Sequence, residues 1–289
     1  MENRSTLRKI LCIMISSVVV LHTGIFLSVQ TGQAAETADK LLMATTTSTD
    51  NTGLLDYLMP SFTAESGINI RWVSTGTGKA IKLGENCDVD VLLVHAPQAE
   101  QDFVDKGFGI DRLEIMYNDF VLIGPPEDPA GSMGKRVGAA LSAIGSSANV
   151  FVSRGDNSGT NKKERALWKL ADMTMPEQEP WYRQSGQGML ATINVAGELK
   201  GYTLTDRGTY IKYESVADSN HALVILVEGD DMLLNQYSII PVNPKHCTNV
   251  KYENAQVLSD WITGFEAQRL IGEFKLLGKQ LFTPNAIRE

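Results

Sequence analysis

Histidine and cysteine are scarce in this chain, four and three among 289 residues. His95, His221 and His246 lie far apart without H-x-x-x-H or comparable spacing, and Cys87 and Cys247 form no C-x-x-C pair. A metal centre therefore has no ligand pattern to rest on. Basic residues are in deficit as well. Against 34 Asp and Glu stand 26 Lys and Arg, a net charge of −8, and a chain without a basic excess is a poor match for nucleic acid. Net charge does not exclude a small anion, because local donors decide such a site. No G-x-S-x-G elbow occurs and no pair of carboxylates stands out as acid and base, which counts against a secreted hydrolase or phosphatase. "GTGKA" (Gly76 to Ala80) lacks the spacing and final hydroxyl of a P-loop. "GQGMLA" (Gly186 to Ala191) formally fits a dinucleotide fingerprint but follows no clear strand.

What is present begins with a segment of its own kind. Arg4, Arg8 and Lys9 precede a mostly apolar run, Ile10 to Leu27, and then Gly32-Gln33-Ala34-Ala35. Residues 1–35 read as a signal peptide cleaved near Ala34, which places the protein in the periplasm. An uncleaved anchor is the alternative, and the run is short for a spanning helix. Cleavage leaves 23 basic and 33 acidic residues, a net charge of −10. It also leaves two cysteines. Export permits a disulfide, but two lone cysteines without C-x-x-C spacing are expected to stay unpaired, and only geometry decides.

The rest has ordinary globular composition, 43% hydrophobic and 21% charged, with no repeat. Strand-like and helix-like runs alternate. Leu41–Thr45, Ile68–Val73, Val89–Val94, Phe120–Ile123, Val150–Val152, Tyr202–Leu204, Leu223–Val227 and Ser238–Val242 read as strands. Leu54, Leu55, Leu58, Met59 and Phe62 fall on one helical face that ends at Ser66-Gly67. Further helices are expected over 99–106, 137–144, 161–171, 189–199, 254–263 and 266–274. Such alternation predicts α/β architecture with mostly parallel sheets. The loop-rich stretch near 124–136 and a break near 234–242 divide it. Residues 36–121 and 239–289 are expected to form lobe I and residues 122–238 lobe II, with the chain crossing twice and a ligand cleft between the lobes.

Hydroxyl residues crowd the places where strands end and helices begin. Thr45 to Thr49 are five in a row. N-capping needs only one, and Thr49 or Asp50 would serve; the surplus points to an anion, since unpaired amides at a helix start bind anions. "FVSRGDNSGTNKKERALW" repeats the idea, with Ser153, Ser158 and Thr160 as hydroxyls, Gly155 and Gly159 allowing close backbone approach, and Arg154 as a planar cation suited to oxyanions. An ion pair with Asp156 is the alternative for Arg154. "VSTGTGKAIKLG" adds Thr75 and Thr77, with Lys79 a solvated charge or a weak contributor. "SGQGMLATINVA" and "YTLTDRGTY" are fourth and fifth candidates. Several donor-rich helix starts in one two-lobed chain suggest convergence on one small anion.

"ATTTSTDNTGLL", "STGTGKA", "DVDVLLVHAP", "MYNDFVLIGP", "FVSRGDNSGTNKKE", "GQGM", "YTLTDRGTY" and "LVEGDDMLLNQYSIIPVNP" occur in order from Ala44 to Pro244. Together they resemble the periplasmic tungstate-binding proteins of ABC importers, within the type II periplasmic binding proteins. The resemblance implies two α/β lobes closing on a tetrahedral oxyanion, tungstate or molybdate, as transported ligand, with no cofactor and no catalysis. It implies a monomer delivering the anion to an ABC permease. By motif match, Thr46, Thr47 and Ser48 bind from one lobe with Thr77 nearby, and Arg154, Ser158, Gly159 and Thr160 bind from the other. A charged partner such as Arg154 would separate the family from molybdate and sulfate binders. Three places depart from the pattern: Asn161 where histidine is frequent, Asn86-Cys87, and Gln184-Ser185. Molybdate, sulfate or phosphate as ligand, a sensory binding protein feeding a receptor, and a secreted hydrolase are the alternatives.

Overall fold

The computed structural model describes residues 40–171, 173–217 and 223–286; the expected signal peptide, residues 1–35, lies outside them. Among the described residues no helix is long and apolar enough to cross a membrane.

Three parallel strands open the fold: β1 (Lys40–Thr46), followed by the single turn α1 (Thr47–Asp50) and α2 (Leu54–Ser66); β2 (Asn69–Thr75), followed by α3 (Thr77–Glu85); and β3 (Val91–Val94), followed by α4 (Pro97–Asp105). The five apolar residues of α2 read as one face are all buried. The helix stops at Gly67, whose left-handed φ of 72° turns its amide back onto the Thr63 carbonyl, a conformation glycine adopts without a Cβ penalty. Strand side chains alternate between faces. Met43, Leu93 and Ile239 join one apolar cluster, while their neighbours Ala44, Leu92 and Ile240 join another on the opposite face. This sheet is therefore covered on both sides, which is why "VLLV" has no polar position.

The chain then enters β4 (Leu113–Gly124), twelve residues long. Its first half contributes Ile115 and Met116 to the first cluster, and its second half alternates Leu122 and Val121/Ile123 between two further clusters. Around that second half lie α5 (Val137–Ser146), β5 (Phe151–Ser153), α6 (Gly159–Leu170), β6 (Tyr182–Gln184), α7 (Met189–Glu198), β7 (Thr203–Asp206), α8 (Arg207–Glu214) and β8 (Val224–Val227). Leu167 and Trp168 of α6 are buried, as the helical pattern predicts. The chain returns through β9 (Leu234–Pro241), which pairs with β3 and with the first half of β4. It closes with α9 (Tyr252–Ile262), α10 (Phe265–Glu273), a small hairpin of β10 (Lys275–Leu276) and β11 (Lys279–Gln280), and β12 (Thr283–Pro284) on the edge of β4. The architecture is α/β and two-lobed, with two apolar clusters centred on β1–β3 and β9 and two on the second half of β4; Ile211 of α8 joins the first of them.

Two expectations need correction. The sheets are not mostly parallel: β1–β2, β1–β3 and β5–β6 are parallel, but every partner of β4 runs antiparallel to it. Strand–helix alternation accounts for the parallel pairs, whereas β4 and β9, which carry the chain out and back, oppose each other and run antiparallel to the strands beside them. The second correction concerns cysteine. Cys87 and Cys247, 160 residues apart, are joined in a disulfide with Cα atoms 5.4 Å apart. The pairing of β3 with β9 brings the turn after α3 beside the segment after β9, a juxtaposition that sequence spacing does not record. Closing so long a loop restricts the unfolded chain. Reduction, or replacement of both cysteines by alanine, is expected to lower unfolding free energy by about 2–5 kcal/mol, measured by denaturant titration of the mature protein.

Candidate functional site

Five consecutive hydroxyls divide their labour. Thr45 Oγ1 donates to the Leu93 carbonyl at 2.9 Å and ties β1 to β3. Thr46 caps α1, its Oγ1 accepting the Thr49 amide, and it lies 2.7 Å from the buried Thr49 hydroxyl. Thr47 is exposed and Ser48 half-buried, and both line a cavity of about 440 Å³. A single turn such as α1 has a small dipole, so its free amides and hydroxyls, rather than a macrodipole, offer donors there.

Two more junctions border the same cavity. At the start of α3 stand Thr75, Gly76 and Thr77, with no side-chain cap on the helix. At the start of α6, Ser158 caps by accepting the Asn161 amide, and Gly159 and Thr160 follow. Thr46, Thr47, Ser48, Thr77, Arg154, Ser158, Gly159 and Thr160, all eight residues predicted from sequence, line this one cavity. The approach is close: a Cβ built on Gly159 would sit 3.7 Å from both Thr77 Oγ1 and His95 Cε1.

Arg154 makes the ion pair that its alternative reading offered, and it keeps one donor free of it. Its Nη2 donates to Asp156 Oδ2 at 2.5 Å, while its Nε is buried without a hydrogen-bond partner. Burial disfavours the ionised Asp156 carboxyl, but hydrogen bonds from Ser158 and Arg154 outweigh it and hold the group below the usual carboxylate range. Asp156 is thus an anion in the lining, offset by the guanidinium it holds. Lys79 and Lys162 are exposed at the border.

Behind this loop lies a buried carboxylate. Glu164 accepts from Ser153 Oγ at 2.5 Å, Tyr182 OH at 2.6 Å and Trp168 Nε1 at 3.1 Å. Burial pushes its carboxyl up and those bonds act against that shift. Ser153 Oγ in turn accepts from the Gly155 amide and from Asn161 Nδ2. Asn161, one of the departures from the family pattern, therefore braces the loop from behind. The fourth and fifth sequence candidates line an adjoining cavity of about 500 Å³ that shares Thr47, Ser48 and Arg154 with the first. There Asp206 is engaged as the cap of α8, accepting from the Thr209 amide and hydroxyl, and Lys212 donates to the Asn51 carbonyl.

Sequence reasoning missed His95. Its Nε2 is 3.0 Å from Thr46 Oγ1 and 3.2 Å from Ser48 Oγ, and it lines the same cavity. It stands in no metal-binding spacing with the other histidines. The available signal was its position directly after "VLLV", at the carboxyl end of a buried parallel strand, where α/β ligand sites form.

A family model described as "PBP superfamily domain" matches residues 31–266. The tungstate-binding protein TupA of Campylobacter jejuni is 52% identical over 239 residues, covering 83% of this chain and 88% of that protein. The chain belongs to the TupA family of the PBP superfamily. Solved members agree in fold. The tungstate-binding protein TupA from Desulfovibrio alaskensis is 62% identical with a TM-score of 0.83, over 86% of this chain and all of that one. The structure described as the tungstate ABC transporter from Geobacter sulfurreducens is 44% identical with a TM-score of 0.71, over 81% of this chain and 98% of that one.

Within this TupA-family chain, the loop from Ser153 to Thr160 depends on Glu164. Glu164→Ala leaves three buried donors without their acceptor, each costing about 1–3 kcal/mol. Chemical denaturation should show a loss of about 3 kcal/mol or more; an unchanged midpoint would mean that water replaces the carboxylate.

Proposed function

We propose that this protein is a periplasmic solute-binding protein that captures tungstate, with molybdate as the second-ranked ligand, and delivers it to an ABC permease. The observation that carries this reading is a single cavity where seven other predicted residues converge with the Arg154 guanidinium, whose Nε is unpartnered. Its setting is a chain 62% identical to a tungstate-binding protein. Thr46, Thr47, Ser48 and Thr77 bind from lobe I, residues 36–121 and 239–289. Arg154, Ser158, Gly159 and Thr160 bind from lobe II, residues 122–238. β4 and β9 serve as the hinge. The anion is cargo, the protein acts as a monomer without a cofactor, and it is not an enzyme. A hydrolase would need Ser158 as a nucleophile beside a base; its Oγ is instead a helix cap that accepts the Asn161 amide.

Hydrogen bonds to a charged group contribute roughly 1.5–3 kcal/mol each. Six or so such bonds outweigh the entropic cost of association and suffice for tight binding. Calorimetry on the mature protein is expected to show saturable heat with tungstate, and competition with molybdate, sulfate and phosphate ranks the anions. Silence with both tungstate and molybdate would contradict the proposal. Arg154→Ala should weaken tungstate at least about tenfold, since it leaves the dianion less compensated. Ligand should also draw the lobes together, seen as a smaller radius of gyration in solution scattering. Identical profiles with and without tungstate would exclude closure.

A further inference from the structure

His95 is held on three sides. Its ring stacks on Tyr237 with centroids 4.7 Å apart and planes 23° apart. Its Nδ1 lies 2.9 Å from Asn235 Oδ1. Its Nε2 faces the hydroxyls of Thr46 and Ser48. Asn235 has its own constraint. It stands opposite Asn118 in the β4–β9 register, and its Nδ2 donates to Asn118 Oδ1 at 2.7 Å and lies 3.2 Å from Tyr237 OH. The amide oxygen of Asn235 is therefore the atom presented to the imidazole, and an oxygen can only accept. An oxygen at that place calls for the proton on Nδ1, which leaves a lone pair on Nε2. Burial lowers the imidazole below its ordinary range, against opposing effects of the Asn235 bond and the Asp206 charge, so the ring is neutral at pH 7.

A lone pair at that place solves a problem of proton direction. Thr46 Oγ1 and Ser48 Oγ are 3.0 Å apart, and each can donate to the other or elsewhere. Left to themselves, these two and the Thr49 hydroxyl, 2.7 Å from Thr46 Oγ1, satisfy one another in several interchangeable arrangements. An anion is bound only by protons aimed at it, and pre-set donors bind better than donors that must reorient. We propose that His95 is a positioning residue for the oxyanion: its Nε2 takes one proton from the Thr46–Ser48 pair and so directs the other hydroxyl proton toward the ligand. Because Asn118 and Asn235 belong to β4 and β9, the same chain of hydrogen bonds ties this donor to the strands that cross between the lobes. The inference rests on the oxyanion-binding reading and deepens it.

Two substitutions separate positioning from bulk. His95→Asn keeps an amide donor for Asn235 but puts nothing where Nε2 was. His95→Gln reaches that place with an acceptor oxygen. Calorimetry with tungstate is expected to show His95→Asn weakened about tenfold, the scale of one misdirected bond to a charged group. His95→Gln should recover to within about threefold of wild type, and unliganded melting temperatures should be similar. Equal affinity for wild type and His95→Asn, or no recovery in His95→Gln, overturns the role of His95 alone. Failure of wild type itself to bind tungstate or molybdate overturns the functional reading on which it rests. A measurement on the unmutated protein guards against misfolded variants: long-range proton–nitrogen NMR at pH 7 should find His95 protonated on Nδ1 and bare on Nε2. A proton on Nε2 would refute the proposal.

Discussion

Everything at the cavity depends on hydrogen bonds made where a strand hands over to a helix. At such a junction the first amides of the helix have no partner within it, and the nearest side chains decide whether those amides are capped or left for something else. Both solutions occur here within a few residues. Thr46 and Ser158 cap α1 and α6 and also line the cavity, while Thr47, Ser48, Gly159 and Thr160, beside them, line it without capping. The caps fix the backbone, and the fixed backbone holds the remaining donors where they are. A single hydroxyl residue at each junction could do the first task but not the second.

The surrounding fold is arranged so that these junctions meet. β1 and β3 are parallel neighbours, so their carboxyl ends place Thr46 and His95 side by side. The Ser153–Thr160 loop belongs to the other pair of cores and reaches the same cavity across the cleft. β4 and β9 connect the two halves, and their antiparallel pairing includes Asn118 opposite Asn235, the pair that anchors His95. Behind the loop, Glu164 gathers Ser153, Tyr182 and Trp168. The disulfide fastens the turn after α3 to the segment after β9, where Cys247 lies buried.

Much of this was legible in the sequence because it is local. The face of α2, the unbroken apolar run of β3 and the hydroxyl clusters each follow from periodicity or capping chemistry within a dozen residues. All eight residues named on that basis and by family resemblance border one cavity. What escaped is non-local. The first half of β4, "LEIMYND", mixes exposed, half-buried and buried positions around a register shift near Glu114 and Met116, so it carries no clean alternation. The antiparallel pairing, the disulfide and the role of His95 each depend on strands brought together from distant parts of the chain.

The most direct test is diffraction from crystals grown with tungstate, using anomalous scattering from tungsten to locate the bound anion without reference to the protein phases. The oxyanion reading predicts one strong peak between the Thr46–Ser48 turn and the Arg154–Thr160 loop, within hydrogen-bonding distance of both. A peak elsewhere, or contact with only one of the two segments, would contradict it.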